Sequence, residues 1–329
     1  MGNWKSIGLG DIRAAASVVH DVMPPTPQYC WPLLCERLAA EAWVKHENHT
    51  PVGAFKIRGG LVYFENLVQG GARPAGVISA TRGNHGQSVG FAAARHDIPA
   101  TIVVPFGNSV EKNAAMRALG VALIEHGDDF QESREFAVAL AQERSLHMVP
   151  AFHPWLVSGV ATYSLELFEA VKDIDVAYVP IGLGSGICGM MAVRDALGLE
   201  TRIVGVVSAH ADAYAQSFGA GCALDAPVTT RIADGMACRT PEPAALELIL
   251  NGVDRIVTVT DAEVAASMRM MFECTHNVCE GAGAAALAAA VKEKPLIAGK
   301  RVAIVATGGN VDADVFASAL TGENNARNS

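Results

Sequence analysis

Short apolar runs alternate with helix-like segments along most of the chain, and this alternation limits the possible folds more than any other feature. The first two pairs are "GVISA" (76–80) before "GQSVGFAAARH" and "ATIVVP" (100–105) before "SVEKNAAMRALG". The pattern recurs at "VALIEHG", "DVAYVPIG", "RIVGVVSA" and "RVAIVATGG". Continuous apolar strands separated by helices indicate a parallel sheet that is covered on both faces. We therefore predict an α/β protein with a doubly wound parallel sheet.

Composition excludes several classes of function. The 329 residues are 50% hydrophobic and 18% charged, which allows a large core and two domains. The net charge is −9 and no run of Lys and Arg stands out, so nucleic-acid binding is disfavoured because it needs clustered cations. The N-terminal residues lack the features of a signal peptide, and "GAGAAALAAAV" is too short to cross a bilayer. We expect a protein that binds neither nucleic acid nor membrane.

The cysteines and the C-terminal tail add little functional information. The seven cysteines are scattered, their number is odd and no CxxC pair occurs, so neither a zinc site nor a disulfide framework is supported. A reduced, cytoplasmic location is the simplest expectation. The polar tail "TGENNARNS" is expected to fray.

Three predicted strands end in unusual loops, at the edge where doubly wound sheets bind ligands. These loops are "SATRGNHGQS" (79–88), "IGLGSGICG" (181–189) and "ATGGNVD" (306–312). In the second loop, glycines allow backbone N–H groups at a helix N-terminus to face a phosphate, and the alternative is a tight strand-to-helix turn. The loop lacks the Gly-Lys-Ser/Thr of a Walker motif and is a weak match to dinucleotide-binding motifs.

Polar residues in the other loops and in "TPVGAFKIRGG" (50–60) provide further candidates. Lys56 lies in an apolar setting, where its amine can act as a nucleophile or base, or it can extend to solvent from the start of a helix. Thr81 and Asn84 can bind a carboxylate or an enolic oxygen, or form an ordinary capped turn. Thr307 can donate to a heterocyclic nitrogen or to its own turn.

One cofactor, pyridoxal 5′-phosphate, would use all of these features, since it needs a lysine, a phosphate loop and donors around its ring. The segments "GAFKIRGG", "GNHGQS", "IGLGSGICG", "IADGMA", "EGAGAAA" and "TGGNVD" follow one another between Gly53 and Asp312. In this order they resemble the motifs of fold-type II pyridoxal-phosphate enzymes, of the tryptophan synthase β-like fold. The similarity is to the serine/threonine dehydratase and serine racemase branch.

The resemblance implies two doubly wound parallel-sheet domains. The large cofactor-binding domain would comprise 1–58 and 151–329, and the small domain, with the GNHG loop, would comprise 59–150. It also implies a homodimer or a higher homo-oligomer.

The resemblance further implies roles for individual residues. Lys56 would form the Schiff base with the cofactor and then move protons at the substrate Cα. The residues implied to bind the cofactor are Phe55, Lys56, Asn84, Gly182, Leu183, Gly184, Ser185, Gly186 and Thr307. The loop residues implied to bind the substrate carboxylate are Thr81, Gly83 and His85. A neutral Thr307 at the ring nitrogen would weaken the ring as an electron sink, which favours β-elimination over transamination.

The sequence departs from the family pattern at several positions. Arg82 replaces the serine that serves racemase-like members as a second proton donor, so racemisation is in doubt, and we assign Arg82 to substrate binding. Val207 and Ala213 replace the two acidic residues of the branch's divalent-cation site, so no metal is predicted. The segment "PAFHPWLVSG" is unusually bulky. We assign its Phe152 to the substrate pocket, with core packing as the alternative.

We therefore predict a metal-independent, pyridoxal-phosphate-dependent dehydratase (ammonia-lyase). It would convert a β-hydroxy-α-amino acid of the threonine or serine type, or a bulky one such as 3-phenylserine, to a 2-oxo acid and ammonia. The alternatives are a 3-hydroxyaspartate dehydratase, an amino-acid racemase, a β-replacement synthase and a non-catalytic phosphometabolite-binding protein. Arg58 is expected to orient the lysine segment through an ion pair, and Glu280 to contact the site or to cap the following helix.

Overall fold

The computed structural model describes residues 7–71 and 73–322. The sequence-based expectations for the first six residues and for most of the polar tail therefore lie outside the described ranges. Within these ranges, no helix has both the length and the apolar character needed to span a membrane.

The strands form two separate sheets. The larger sheet has the strand order β1-β2-β10-β7-β8-β9 and the smaller one β5-β4-β3-β6. The strands are Gln28–Cys30 (β1), Glu41–His46 (β2), Val77–Ala80 (β3), Ala100–Val104 (β4), Ala122–Glu125 (β5), His147–Met148 (β6), Val176–Pro180 (β7), Arg202–Ser208 (β8), Arg255–Val259 (β9) and Arg301–Ala306 (β10). Neighbouring strands are parallel except β1, which pairs with β2 in the antiparallel direction. The predicted α/β class with two parallel sheets is confirmed.

Helices connect the parallel strands and cover the sheets. They are Leu9–His20 (α1), Pro32–Leu38 (α2), Lys56–Gln69 (α3), Asn84–Arg95 (α4), Val110–Ala118 (α5), Phe130–Glu143 (α6), Pro154–Ala170 (α7), Ser185–Ala196 (α8), Ala213–Ala220 (α9), Pro243–Gly252 (α10), Asp261–Thr275 (α11), Gly281–Lys292 (α12), Lys294–Ile297 (α13) and Ala313–Thr321 (α14). Single 3₁₀ turns occur at Glu47–His49 and Asp234–Met236. The smaller sheet is built from strands between 77 and 148, whereas the predicted domain boundaries at 58/59 and 150/151 stay a prediction.

Two inner strands, β3 and β7, are buried along their whole length because helices cover both faces of each sheet. All residues of β3 and of β7 are buried. Helix α12 packs against the larger sheet, and its first ten residues, mostly alanine and glycine, are all buried. Such small side chains allow the helix backbone to lie close to the strands.

Helices α3 and α7 cross at two glycines. A Cβ on Gly59 would lie 2.9 Å from the carbonyl oxygen of Leu156, and a Cβ on Gly159 would lie 2.3 Å from that of Arg58. Both distances are too short for a side chain, so the crossing needs glycine on each helix. The contact holds the first turn of α3, which begins at Lys56, against α7.

A buried cluster of charges holds the same turn of α3 from another side. Arg58 Nε lies 2.7 Å from Glu47 Oε2, and Arg58 Nη1 lies 2.6 Å from Glu166 Oε1. Lys45 Nζ donates to Glu166 Oε2 at 2.6 Å. Although burial opposes the ionisation of Glu166, the charges of Arg58 and Lys45 lower its pKa to about 2. The predicted ion pair of Arg58 is thus confirmed, with two carboxylates as partners.

Candidate active site

Lys56 faces a small cavity between α3, α7 and α8. The residues that line the cavity are Lys56, Gly59, His85, Ala151, Leu156, Val160 and Ser185. The Lys56 amine donates to Ser185 Oγ at 3.1 Å. Removal of water from around the amine lowers the pKa of Lys56 to about 8, so a substantial fraction of the amine is neutral near physiological pH. A neutral amine can act as a nucleophile or as a base.

Backbone contacts tie the lysine segment to the end of β10. The N–H of Phe55 donates to the carbonyl oxygen of Thr307 at 3.0 Å, and Ala54 and Gly308 form an isolated bridge. The Lys56 amine lies 4.8 Å from the centre of the Phe55 ring. Thr307, which is buried, is therefore placed beside the lysine segment by the backbone.

The loop between β7 and α8 presents the N-terminus of a helix to the same region. Gly184 has φ +98°, a conformation that other residues rarely adopt. A Cβ on Gly182 would lie 2.4 Å from the carbonyl oxygen of Gly235, so the loop packs directly on that segment. The Tyr214 hydroxyl donates to the carbonyl oxygen of Leu183 at 3.2 Å. The first N–H groups of α8 have no partner within the helix, which suits a phosphate.

The loop of residues 81–85 lies at the N-terminus of α4. Thr81 Oγ1 accepts from the N–H of Gly83 at 3.0 Å, and Gly83 has φ +151°. Burial and the charge of Lys56 lower the pKa of His85 to about 3. His85 is therefore neutral near physiological pH, and its buried Nε2 has no partner among the described residues. Arg82 is partly buried, and among the described residues its buried Nε has no partner either.

The side chain of Asn84 forms hydrogen bonds with two residues that lie on the side of the larger sheet. Its Nδ2 donates to Glu280 Oε1 at 2.5 Å, and its Oδ1 accepts from Asn310 Nδ2 at 2.9 Å. One hydrogen of Nδ2 stays available for a further acceptor. Glu280 is 2% exposed and makes no side-chain cap to α12. Of the two expectations for Glu280, its bond to Asn84 favours contact with the site, which stays a prediction.

The cavity brings together some of the predicted residues and not others. Lys56, His85 and Ser185 line it, whereas Phe152 does not and packs partly buried against a core cluster. Trp155 packs against Tyr63, with ring centres 5.6 Å apart. The bulky aromatic side chains of "PAFHPWLVSG" therefore do not line this cavity, and the position of Phe152 favours the alternative of core packing.

The apolar lining comes from residues that the sequence did not single out. Leu156 and Val160 lie on the buried face of α7, where they resemble ordinary core residues in the sequence. Only the bulkiness of the surrounding segment signalled this region. Asn310 lies in the segment "TGGNVD", but the sequence did not predict its hydrogen bond to Asn84. The two residues are 226 positions apart, so no local pattern indicates the contact.

The residues present fit pyridoxal phosphate. Lys56 provides an enclosed amine with a lowered pKa, and the start of α8 provides free N–H groups for a phosphate. Asn84 has a hydrogen available for the phenolic oxygen. The described residues include no cluster of three or more His, Cys, Asp or Glu suited to a metal ion. Val207 and Ala213, where the resemblance implies the branch's cation site, are both buried and apolar.

Comparisons with known proteins agree with this arrangement. A family model described as "Pyridoxal-phosphate dependent enzyme" matches residues 20–308. The L-threonine ammonia-lyase of Thermotoga maritima is 34% identical over 94% of this chain and 77% of its own length. The L-threo-3-hydroxyaspartate ammonia-lyase of Saccharomyces cerevisiae is 30% identical over 95% of this chain and 96% of its own length. The structure of maize serine racemase superposes with a TM-score of 0.89 at 27% identity, covering 96% of this chain and 98% of that one.

Proposed function

The chain belongs to the family of pyridoxal-phosphate dependent enzymes, and on that basis we propose that it dehydrates a β-hydroxy-α-amino acid to a 2-oxo acid and ammonia. Its cofactor is pyridoxal phosphate and its fold is fold-type II. The ammonia-lyase names of the Thermotoga and yeast relatives support this reaction. Because the chain belongs to a family of enzymes, we do not retain the alternative of a non-catalytic phosphometabolite-binding protein. A cytoplasmic location and a homo-oligomeric state stay predictions.

One observation carries the proposal, namely that Lys56, Ser185 and His85 line a single cavity. When bound, pyridoxal phosphate supplies a conjugated ring that withdraws the electron pair left at the substrate Cα. Lys56 Nζ removes the proton from Cα, because it is an enclosed amine whose pKa is lowered to about 8. Ser185 Oγ accepts a hydrogen bond from this amine and so fixes its direction.

The loops around the cavity would orient the substrate and the cofactor. The N-terminus of α4, with Thr81 and Gly83, offers donors to the α-carboxylate. The glycine loop before α8 would hold the phosphate. The proton that Lys56 Nζ takes from Cα would be returned to the β-hydroxyl, which leaves as water, and the released enamine takes up water in solution to give the 2-oxo acid and ammonia.

Within this reaction we propose a preference for an apolar β-substituent, extending to the phenyl group of 3-phenylserine. Leu156 and Val160 supply an apolar lining. An apolar wall favours a substituent that loses water on binding, and an aromatic substituent would bury more area than a methyl group.

The second candidate substrate is 3-hydroxyaspartate, and Arg82 supports it. The buried Nε of Arg82 has no partner among the described residues, so a second substrate carboxylate could accept a charge-assisted bond from it. The name of the yeast relative points to the same substrate. We rank this candidate below the apolar one, because Arg82 lies in the loop that would bind the α-carboxylate.

Rates of 2-oxo acid release from serine, threonine, 3-phenylserine and 3-hydroxyaspartate would test these proposals. We expect 3-phenylserine to exceed serine in kcat/KM. A tenfold advantage for serine or threonine would contradict the apolar preference and leave the dehydratase proposal standing. Release from none of the four would contradict the dehydratase itself, and the same samples assayed for inverted amino acid would reveal a racemase.

The variant Arg82→Gln separates the two candidate substrates. If Arg82 binds a second carboxylate, the variant loses kcat/KM for 3-hydroxyaspartate and keeps it for 3-phenylserine. If Arg82 binds only the α-carboxylate, kcat/KM falls equally for both substrates.

A further inference from the structure

Lys112 is a buried cation that reaches from α5 to the larger-sheet side of the molecule. Its side chain is 6% exposed, although lysine is rarely buried without a partner. Its Nζ lies 2.7 Å from Asp234 Oδ2 and 2.9 Å from Glu280 Oε2. Burial opposes the charge on Lys112, but the two carboxylates outweigh this effect and raise its pKa above the usual range. Lys112 is therefore a fixed positive charge.

The aliphatic part of the Lys112 side chain packs against the loop of residues 81–85. A Cβ on Gly83 would lie 2.5 Å from Lys112 Cδ and 3.1 Å from its Cβ and Cγ. The lysine thus occupies the space that a side chain at position 83 would need. Lys112 can therefore take this position only because residue 83 is glycine, and the loop packs directly on the lysine side chain.

The N-terminus of α5 makes further contacts to the same side of the molecule. Ser109 Oγ donates to Asp312 Oδ1 at 2.6 Å, and the N–H of Ala313 donates to Glu111 Oε1 at 2.8 Å. Together with Lys112, these contacts fix α5 against the segment that follows β10.

The charge of Lys112 affects the hydrogen bonding of Asn84 through Glu280. Asn84 Nδ2 donates to Glu280 Oε1, and this bond needs an oxygen that is free to accept. Burial, together with the charge of Asp234, raises the pKa of Glu280 above its ordinary value, and the charge of Lys112 limits this rise. Without Lys112, the buried carboxyl would take up a proton, and Glu280 would become a donor as well as an acceptor.

We propose that Lys112 is a positioning residue that orients the Asn84 amide by keeping Glu280 an acceptor, so that the second Asn84 Nδ2 hydrogen points to the phenolic oxygen of pyridoxal phosphate. The proposal rests on the family's cofactor and on no particular substrate. Lys112 itself contacts neither cofactor nor substrate in this scheme. Its effect is transmitted through two hydrogen-bonded side chains.

The visible absorption spectrum of the purified holoenzyme, recorded without substrate, provides the test. In Lys112→Met we expect the cofactor band to shift and the dissociation constant for pyridoxal phosphate to rise about tenfold. Lys112→Arg keeps the charge, so its cofactor band and its dissociation constant for pyridoxal phosphate should stay close to those of the wild-type protein. The matched control is Lys292→Met, since Lys292 is 44% exposed and pairs with Glu263 at 3.2 Å. An unchanged band and affinity in Lys112→Met, or an equal change in Lys292→Met, would overturn the proposal.

A double-mutant comparison separates this role from a loss of folding. Glu280→Gln keeps an oxygen acceptor and removes the charge that Lys112 balances. If Lys112 acts through Glu280, adding Lys112→Met to Glu280→Gln should change the spectrum little, and additive changes would overturn the proposal. Should Lys112→Met fail to fold, Lys112→Gln, which keeps a donor without the charge, is measured in the same way and should show the same shift. Because no substrate is present, these results are independent of the proposed reaction.

Discussion

The amine of Lys56 donates to the hydroxyl of Ser185 at 3.1 Å, and each of these residues is the first residue of its helix. The N-termini of α3 and α8 therefore meet at one cavity. The positive end of a helix disfavours a neighbouring ammonium and favours a phosphate. One arrangement thus suits both a neutral amine and the phosphate proposed to bind there.

Replacement of Lys56 should abolish covalent attachment of the cofactor. Lys56→Ala is expected to lose the visible band of the holoenzyme, because the variant has no amine in the cavity. Borohydride reduction of the wild-type protein followed by peptide mapping should label the peptide that contains Lys56. Lys292→Ala, at an exposed lysine, is the control and should keep the band. Label on any other lysine would refute the assignment.

Replacement of Gly182 should weaken cofactor binding. A Cβ in Gly182→Ala would lie 2.4 Å from the carbonyl oxygen of Gly235 and would push the phosphate loop away from that segment. We expect the dissociation constant for pyridoxal phosphate to rise at least about tenfold, equivalent to about 1.4 kcal/mol. Gly219→Ala is the control, since nothing lies within 4 Å of its added Cβ. Equal affinities of the two variants in a fluorescence titration would contradict the prediction.

Removal of the Glu166 charge should destabilise the protein in a pH-dependent way. The folded state lowers the pKa of Glu166 from 4.5 to about 2, so its stabilising contribution is present above about pH 4.5 and is lost as the pH falls toward 2. Glu166→Gln leaves Arg58 and Lys45 short of a buried counter-charge, and we expect a loss of about 3–5 kcal/mol at pH 7. Denaturant unfolding at several pH values would measure this loss and its decrease in acid.

The control for this measurement lies on the same helix. Glu169 pairs with Arg13 at 3.7 Å, and its side chain is 51% exposed. Glu169→Gln should therefore change the free energy of unfolding by less than about 1 kcal/mol at every pH. A similar loss in both variants would show that the buried cluster has no special role.

Activity should survive exhaustive chelation. The resemblance implies acidic residues of a cation site at the positions of Val207 and Ala213. Neither apolar side chain can bind a hard cation that prefers oxygen ligands. We expect the rate of 2-oxo acid release after dialysis against EDTA to equal that of the untreated holoenzyme. A large loss that Mg²⁺ restores would place a cation site elsewhere in the molecule.

The sequence predicted the inner strands well because their signal is local. Continuous apolar runs marked Val77–Ala80, Val176–Pro180 and Arg301–Ala306 within a few residues of their observed bounds. The strand Glu41–His46 was missed, since it contains buried Lys45 and His46, which are atypical of a central strand. Lys45 is tolerated there because its partner Glu166 comes from 121 residues further along the chain.

The site was predictable to a similar extent. Motifs predicted that Lys56 and the glycine loop lie at one site, and the structure brings Lys56 and Ser185 of that loop to one cavity. Lys112 was not identified, because a single lysine in an amphipathic helix resembles a surface residue. Its contacts to Asp234 and Glu280 are 122 and 168 positions distant in sequence, so only the folded structure reveals that it is buried.

The glycine crossing of α3 and α7 has a consequence for the evolution and engineering of substrate range. Gly59 and Gly159 tolerate no side chain, so the distance between the two helix backbones is fixed and the lysine keeps its place. Leu156 and Val160, on either side of Gly159 in α7, line the cavity and are therefore the positions at which its shape can be changed. We expect a combinatorial library at these two positions to change substrate range while the glycines keep the backbone that carries Lys56 in place.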